Sequence, residues 1–170
     1  MNTSKRLVQK LEDGEPLYSL DQYGNFGLLN IDLNLKCDSI KLANDYIQKF
    51  SLEGIYIIKG EDKEFVGKKP QPEIVITENG LSFAVNFSDL ANLFKLSQEP
   101  IREIIKEYSK NKEVLDLFSY DGAFSVYALS GRAKNITAVE LNGENMSLIK
   151  RNLILNKEKL LIDKVSVYQE

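Results

Sequence analysis

Short runs of alternating apolar and polar residues occupy much of the first hundred positions of this chain, and they predict strands. Leu17–Leu20 and Phe26–Leu33 form a predicted hairpin, because Tyr23-Gly24-Asn25 between them is turn chemistry. A helix is predicted to begin at Asp38 or Ser39, which are both good capping residues. The apolar residues behind this cap recur at helical spacing and would face a core: Ile40, Ala43, Ile47 and Phe50.

The alternating pattern is interrupted once before it returns. Ile55–Ile58 is a predicted strand, whereas residues 59–72 mix lysines, acids, prolines and glycines without any period. Such a mixture predicts an exposed loop or a connector between domains, with a loop that contacts RNA as the alternative. Glu73–Thr77 and Leu81–Phe87 then alternate on either side of Asn79-Gly80, and an Asn-Gly pair between apolar runs is the strongest short-range hairpin signal.

The last third of the chain follows a different pattern. Pro100 begins a predicted helix with an apolar stripe made of Ile101, Ile104, Ile105 and Tyr108. Strands at 114–118, 135–140 and 165–168 then alternate with helices at 122–130 and 143–156. A βαβαβ series of this kind requires a parallel sheet. The predicted fold is α/β: a small α+β domain with its connector at 1–72, then a hairpin and the first half of a Rossmann-like domain at 73–170.

Composition narrows the function classes. The net charge of -3 argues against a protein that holds nucleic acid by charge alone. Cys37 is the single cysteine, which excludes an internal disulfide, and the chain has no histidine to act as its base if it were a nucleophile. No apolar run approaches the ~18 residues of a membrane helix. We therefore expect a soluble, cytoplasmic protein with no membrane contact.

The candidate chemistry lies where the first strand of the βαβαβ series ends. Ligands collect beyond the carboxyl ends of parallel strands, since helix N-termini present unpaired N–H groups there. Phe118–Gly122 is such an end: Gly122 allows close approach of the main chain, and Asp121 can cap the following helix. Asp116, inside the strand, would fix this turn by hydrogen bonds or approach a cationic group of a ligand.

A second strand end supports a nucleotide-like ligand. Glu140 follows the next predicted strand, eighteen positions after Gly122, where a carboxylate can hold a ribose diol. Taken alone, the turn could be a tight connection that binds nothing, and Glu140 could be a surface acid. A pyrophosphate site needs G-x-G-x-x-G, and only Gly122 is present in that window. A nicotinamide-dependent oxidoreductase is therefore disfavoured, and S-adenosylmethionine is the ligand that suits one glycine and one acid.

The residues of this region also resemble a known family. Leu115–Val126 resembles motif I of class I S-adenosylmethionine-dependent ribosomal RNA methyltransferases, with the nearest similarity to the large-subunit 5-methylcytosine enzymes. Asp13-Gly14-Glu15-Pro16 with Leu20–Gly24 resembles the opening of the central α+β domain of that family, and the Asn79-Gly80 hairpin fits too. These matches occur in the same order as in the family and cover nearly the whole chain.

The resemblance implies roles for individual residues. Phe118, Ser119, Tyr120 and Gly122 would surround the methionine part of the cofactor, and Glu140 would hold the ribose. An acid near the adenine is due after the strand at 165–168, where Glu170 stands. Lys95–Glu99 departs from the family's Phe-Leu-Asp-Gln-Arg segment and keeps only Gln98 of its polar residues. The family's RNA-binding domain, target-base loop and catalytic cysteine have no counterpart in this sequence.

Two functions follow as hypotheses. The first is a methyltransferase acting on RNA, with ribosomal RNA as the expected substrate, or a truncated relative that keeps the cofactor-binding half. The second is an inactive binding or assembly module on the same scaffold. A half-sheet would expose an unpaired edge and apolar surface on its last strand, so we also expect a homo-oligomer or a completing partner chain there.

Overall fold

The computed structural model describes residues 3–12, 15–90 and 93–169, which divide into two compact units. The first unit contains 1–78 and 85–96, and the second contains 79–84 and 97–170. Asp13, Gly14 and Glu170, to which the sequence assigned a motif and an adenine contact, lie outside the described residues. The predicted domains, 1–72 and 73–170, distribute the hairpin region differently, and that boundary stays a prediction.

The first unit is a five-stranded sheet with one helix against it. Its elements are β1 (Ser4–Glu12), β2 (Glu15–Tyr23), β3 (Phe26–Ile31), α1 (Ser39–Phe50), β4 (Gly54–Lys59) and β5 (Asp62–Gly67). The strands lie in chain order, with β3 and β4 parallel and the other neighbours antiparallel. Apolar residues of β2, β3 and β4 form the core together with Ala43 and Tyr46 of α1.

The structure confirms most of the predicted elements of this unit. The β2–β3 hairpin and β4 are present, and the Asp38 carboxylate accepts a hydrogen bond from the Lys41 N–H at 2.9 Å, which caps α1. Two predictions are wrong. Ile40 is 50% exposed instead of facing the core, and residues 62–67 of the predicted connector form β5, because their main chain pairs with β4 although their side chains are mostly polar.

The predicted Asn-Gly hairpin is confirmed. Strands β6 (Glu73–Glu78) and β7 (Leu81–Asn86) are joined by Asn79 and Gly80, whose φ angles are 50° and 80°. Two positive φ values in a two-residue turn match the right-handed twist of the strands, and this is why Asn-Gly is favoured there.

The second unit contains the parallel βαβαβ series. Its elements are α2 (Glu99–Tyr108), β8 (Glu113–Leu117), α3 (Ala123–Ser130), β9 (Asn135–Val139), α4 (Gly143–Leu155) and β10 (Val165–Tyr168). The sheet order is β10-β9-β8, and both strand pairs are parallel. The predicted α/β class and every predicted element from residue 114 onward are therefore confirmed, with boundaries that differ by one residue or less.

Most of the apolar stripe predicted for α2 is exposed to solvent instead of buried. Ile101 and Ile104 are each 53% exposed and Tyr108 is 76% exposed, whereas Arg102 is only 1% exposed. The guanidinium of Arg102 lies 5.7 Å from the ring centre of Tyr127, so it is held by an aromatic face inside the unit. Helical spacing identified an amphipathic helix but not which of its faces is buried.

Exposed apolar surface also lies on the first strand of the sheet. Leu115 and Leu117 of β8 are 61% and 55% exposed, next to a groove of about 300 Å³ that β8 forms with α2 and α3. The expectation placed this surface on the last strand, where Tyr168 of β10 is also exposed. Both β8 and β10 are outer strands of this sheet, so apolar side chains are exposed at each of its edges. No helix within the described ranges is long and apolar enough to cross a membrane.

Candidate functional site

The turn between β8 and α3 has an unusual backbone. Phe118, Tyr120 and Gly122 all have positive φ angles, of 56°, 52° and 69°. The left-handed region is easy for glycine, but it costs other residues about 1–2 kcal/mol each. Such strain persists only where surrounding bonds impose it, and it concentrates at ligand-binding turns.

Hydrogen bonds from Ser119 impose this conformation. The Ser119 N–H donates to the Val139 carbonyl at 3.1 Å, and its hydroxyl lies 2.7 Å from the Asp116 carbonyl. The Ser119 carbonyl accepts from the Gly122 N–H at 2.7 Å. Ser119 is 3% exposed, so its side chain ties the ends of β8 and β9 together beneath the turn. Phe118, by contrast, is 79% exposed.

Glu140 joins the two strand ends. Its carboxylate accepts hydrogen bonds from the N–H groups of Tyr120 and Asn142, each at 2.9 Å, and from the Asn145 side-chain amide at 3.3 Å. Burial acts to raise the pKa of Glu140, but these bonds outweigh it and the pKa lies below its ordinary value. The structure thus brings the turn and the acid together, as the sequence predicts for two neighbouring strand ends. Asn145 was not foreseen, although its place in the first turn of α4 could have indicated it.

Asp116 supports the turn from inside the sheet. One oxygen of its carboxylate accepts from the Ser125 hydroxyl at 2.6 Å, which fixes the first turn of α3 to β8. Burial raises the pKa of Asp116 above its ordinary value. This hydrogen bond is of the kind expected for the first role considered for Asp116, although it is made to α3, and the role of Asp116 toward a ligand stays a prediction.

Asp121 is buried within the electrostatic influence of the buried Arg102, and sequence reasoning found only the first of these two residues. The Asp121 carboxylate accepts from the Ala123 N–H at 2.9 Å, as expected of a residue that caps α3. Burial raises its pKa to about 6, opposed by that hydrogen bond and by the positive charge of Arg102. Arg102 was missed because it stands among isoleucines, where a charged residue seemed to belong to the solvent face. The helix also carries Glu103 and Lys106, so no sequence signal distinguished Arg102 from the charges of the solvent face.

The raised pKa makes a prediction about stability. The folded protein holds the proton on Asp121 more tightly than the unfolded chain does. The protonated carboxyl therefore contributes to the free energy of unfolding in full below the ordinary pKa of 3.8, and this contribution is lost as pH rises through about 6. We expect Asp121→Asn to gain stability over wild type across that interval, by about 3 kcal/mol for two pKa units. Urea unfolding of both proteins across a pH series measures it. A difference that does not vary with pH contradicts the assignment.

The remaining candidates take no part in this site. Gln98 ends a short 3-10 turn at residues 96–98, is exposed and makes no side-chain cap to α2. Cys37 lies exposed in the first unit. Within the described residues, no group of histidine, cysteine, aspartate and glutamate could hold a metal ion.

A parallel βαβαβ unit with a glycine turn after its first strand and an acid after its second defines a Rossmann-like nucleoside-binding domain. The family model of the TRM5/TYW2 methyltransferase domain matches residues 74–169, and the chain belongs to this family. The resemblance to S-adenosylmethionine-dependent RNA methyltransferases is thereby confirmed.

Individual relatives agree with the family. Ribosomal RNA large subunit methyltransferase I from Pseudoalteromonas translucida is 36% identical over 119 residues, which are 69% of this chain and 29% of that protein. Its namesake from Vibrio campbellii is 29% identical over 168 residues, 91% of this chain and 42% of that protein. Among solved structures, SMU.776, described as a methyltransferase complexed with SAH, matches with a TM-score of 0.79 at 25% identity over 99% of this chain and 46% of that chain. The chain spans less than half the length of these relatives.

Proposed function

We propose that this chain binds S-adenosylmethionine at the turn 118–122 and Glu140, as the cofactor-binding part of a methyltransferase that acts on RNA. The observation that carries the proposal is the hydrogen bond from the Tyr120 N–H to the Glu140 carboxylate, because it joins the strained turn to the acid. In this proposal Phe118, Tyr120 and Gly122 surround the methionine part and Glu140 holds the ribose. Ser119 and Asp116 keep the turn in place.

The residues present fit this cofactor. The lowered pKa keeps Glu140 ionised near neutral pH, so its carboxylate only accepts hydrogen bonds, as a ribose diol requires. The Glu140 carboxylate accepts hydrogen bonds from Tyr120, Asn142 and Asn145, and a main-chain bond from Leu141 also lowers its pKa. Because a carboxylate offers about four acceptor sites, the ribose hydroxyls would share these oxygens or replace one of these donors. The exposed ring of Phe118 lies at the same turn, where an apolar methionine chain can contact it.

The cofactor, when bound, supplies a methyl group on a sulfonium. The residues of this chain bind and orient it, and orientation relative to the acceptor supplies much of the acceleration in such transfers. The relatives are named as ribosomal RNA large subunit methyltransferases, which supports ribosomal RNA as the substrate of the whole protein. A base as the methyl acceptor and a cytoplasmic location belong to the proposal as expectations. A homo-oligomer or a completing partner chain at the exposed edge of the sheet remains part of the proposal; it was expected on the last strand, β10, and the exposed apolar residues of β8 add the opposite edge.

Calorimetric titration with S-adenosylhomocysteine tests the cofactor. We expect a saturable isotherm with one site per chain, since a single turn and a single acid form the site. S-adenosylmethionine should compete for it, and NADH should produce no heat, because the turn lacks the glycines of a pyrophosphate site. An absence of heat at high protein concentration removes the proposal.

A second candidate is an inactive assembly module on the same scaffold. The exposed apolar residues of β8, Leu115 and Leu117, favour it, because an apolar outer strand is suited to pairing with another chain. Transfer of labelled methyl groups to ribosomal RNA by this chain alone would discard the module. Cofactor binding without transfer supports it.

A further inference from the structure

Two buried asparagines lie one helical turn apart at the end of α4, Asn152 within the helix and Asn156 directly after its last residue. Asn152 and Asn156 are 0% and 1% exposed. Asparagine is a weak helix former, and a buried amide costs free energy unless all its groups are paired. Both side chains meet this condition by hydrogen bonding to the main chain of β7, within the second unit.

Their hydrogen bonds differ in one respect. Asn156 accepts from the Ser82 N–H at 2.9 Å and donates to the Ser82 carbonyl at 2.8 Å, so it binds β7 in the manner of a neighbouring strand. Asn152 accepts from the Ala84 N–H at 2.8 Å but donates to the Asp121 carbonyl at 2.7 Å. Only Asn152 therefore connects β7 to the turn that precedes α3.

The Asp121 carbonyl belongs to the peptide that enters Gly122. The direction of this carbonyl sets the orientation of the peptide plane before Gly122, a residue whose φ angle is 69°. The same helix also meets Gly122 from the side, because a Cβ placed there would lie 2.9 Å from Cγ2 of Ile149. Helix α4 thus defines the position of this residue with one hydrogen bond and one packing contact.

We propose that Asn152 is a positioning residue for the cofactor: its amide holds the Asp121–Gly122 peptide in the orientation that the binding turn needs. The inference rests on the proposed function, since the turn is the proposed cofactor site. Without the amide, the buried Asp121 carbonyl loses its partner, and the strained backbone at Tyr120 and Gly122 can relax. Asn156 makes the same kind of bond to β7 without touching the turn.

The pair of variants Asn152→Ala and Asn156→Ala tests the proposal. Each removes hydrogen bonds to β7, so we expect both to lower the unfolding midpoint. Only Asn152→Ala should weaken the affinity for S-adenosylhomocysteine, by about tenfold or more, because loss of one buried hydrogen bond at the turn corresponds to such a factor. Asn156→Ala should stay within about threefold of wild type. Equal affinity loss in the two variants would overturn the positioning role.

Amide hydrogen exchange separates this inference from the proposed function. The Gly122 N–H donates to the Ser119 carbonyl inside the turn, and its exchange needs no ligand to be measured. We expect faster exchange at Gly122 in Asn152→Ala than in Asn156→Ala. If wild type fails to bind S-adenosylhomocysteine, the proposed function falls, and the exchange rates alone decide whether Asn152 positions the turn.

A third variant covers the case in which Asn152→Ala does not fold. Asn152→Asp is nearly isosteric, and at a pH above about 9, where even a buried carboxyl group is ionised, it retains an acceptor for the Ala84 N–H but has no donor for the Asp121 carbonyl; wild type is measured at the same pH. We expect it to show the affinity loss and the faster Gly122 exchange of the alanine variant. Affinity and exchange like those of wild type would contradict the proposal.

Discussion

Replacing Glu140 by alanine is expected to reduce the affinity for S-adenosylhomocysteine at least about 100-fold, which corresponds to a loss of ~3 kcal/mol. The carboxylate would contribute the acceptor for the ribose, and it also holds the Tyr120 N–H in the strained turn. Hydrogen bonds to a charged group contribute about 1.5–3 kcal/mol each, so losing both functions accounts for the factor. Calorimetric titration of the folded variant measures it.

Glu144→Ala is the matched control for this experiment. Glu144 is exposed in the first turn of α4 and carries the same charge, but among the described residues no hydrogen bond or ion pair joins its side chain to the turn at 118–122. We expect the affinity of this variant to stay within about twofold of wild type. Similar losses in both variants would mean that net charge, and not the carboxylate at Glu140, governs binding.

The largest loss of stability is expected from Gly131→Ala. A Cβ at Gly131 would fall on the main-chain carbonyl of Lys106, inside any allowed contact distance. Because the obstacle is backbone, no change of side-chain rotamer relieves it, and helices α2 and α3 must separate. Overpacking of this kind costs about 1–3 kcal/mol, and we expect the upper end, with a lower midpoint in urea unfolding.

Gly143→Ala provides the comparison. Gly143 is the first residue of α4, and the nearest atom to a Cβ there is the side-chain nitrogen of Gln169 at 3.9 Å, an ordinary contact. Alanine in a helix with room for its methyl group stabilises a protein by up to about 1 kcal/mol. Equal stability of Gly131→Ala and Gly143→Ala would contradict the inference that the Lys106 carbonyl leaves no room for a Cβ at Gly131.

The strands that sequence patterns identified and those that they missed differ in position. The pattern located β2, β3 and β4, which lie inside the five-stranded sheet, and it missed β1 and β5, which lie at its two edges. An edge strand has one neighbour and more solvent around it, so its residues need not alternate between apolar and polar. Both missed strands are rich in charged residues. Pairing of the main chain, which no side-chain pattern records, made them strands.

The candidate site was predictable to the extent that it depends on chain order. The glycine turn and the acid follow consecutive parallel strands, and the carboxyl ends of such strands must meet at one edge of the sheet. The supporting groups were not predictable in this way. Arg102 of α2 packs against Tyr127, and Asn152 of α4 donates to the Asp121 carbonyl of the turn; both roles depend on which helix face is buried.

The sequence by itself determined the order of the βαβαβ elements, the hairpin at Asn79-Gly80 and the presence of a turn and an acid at adjoining strand ends. These features follow from local periodicity and from residues such as glycine and asparagine, which turns with positive φ angles require. The tertiary structure alone decided that Tyr120 donates to Glu140, that Arg102 is buried while Ile101 is exposed, and that Asn152 holds the turn. Such contacts join residues far apart in the chain, and only packing brings them together.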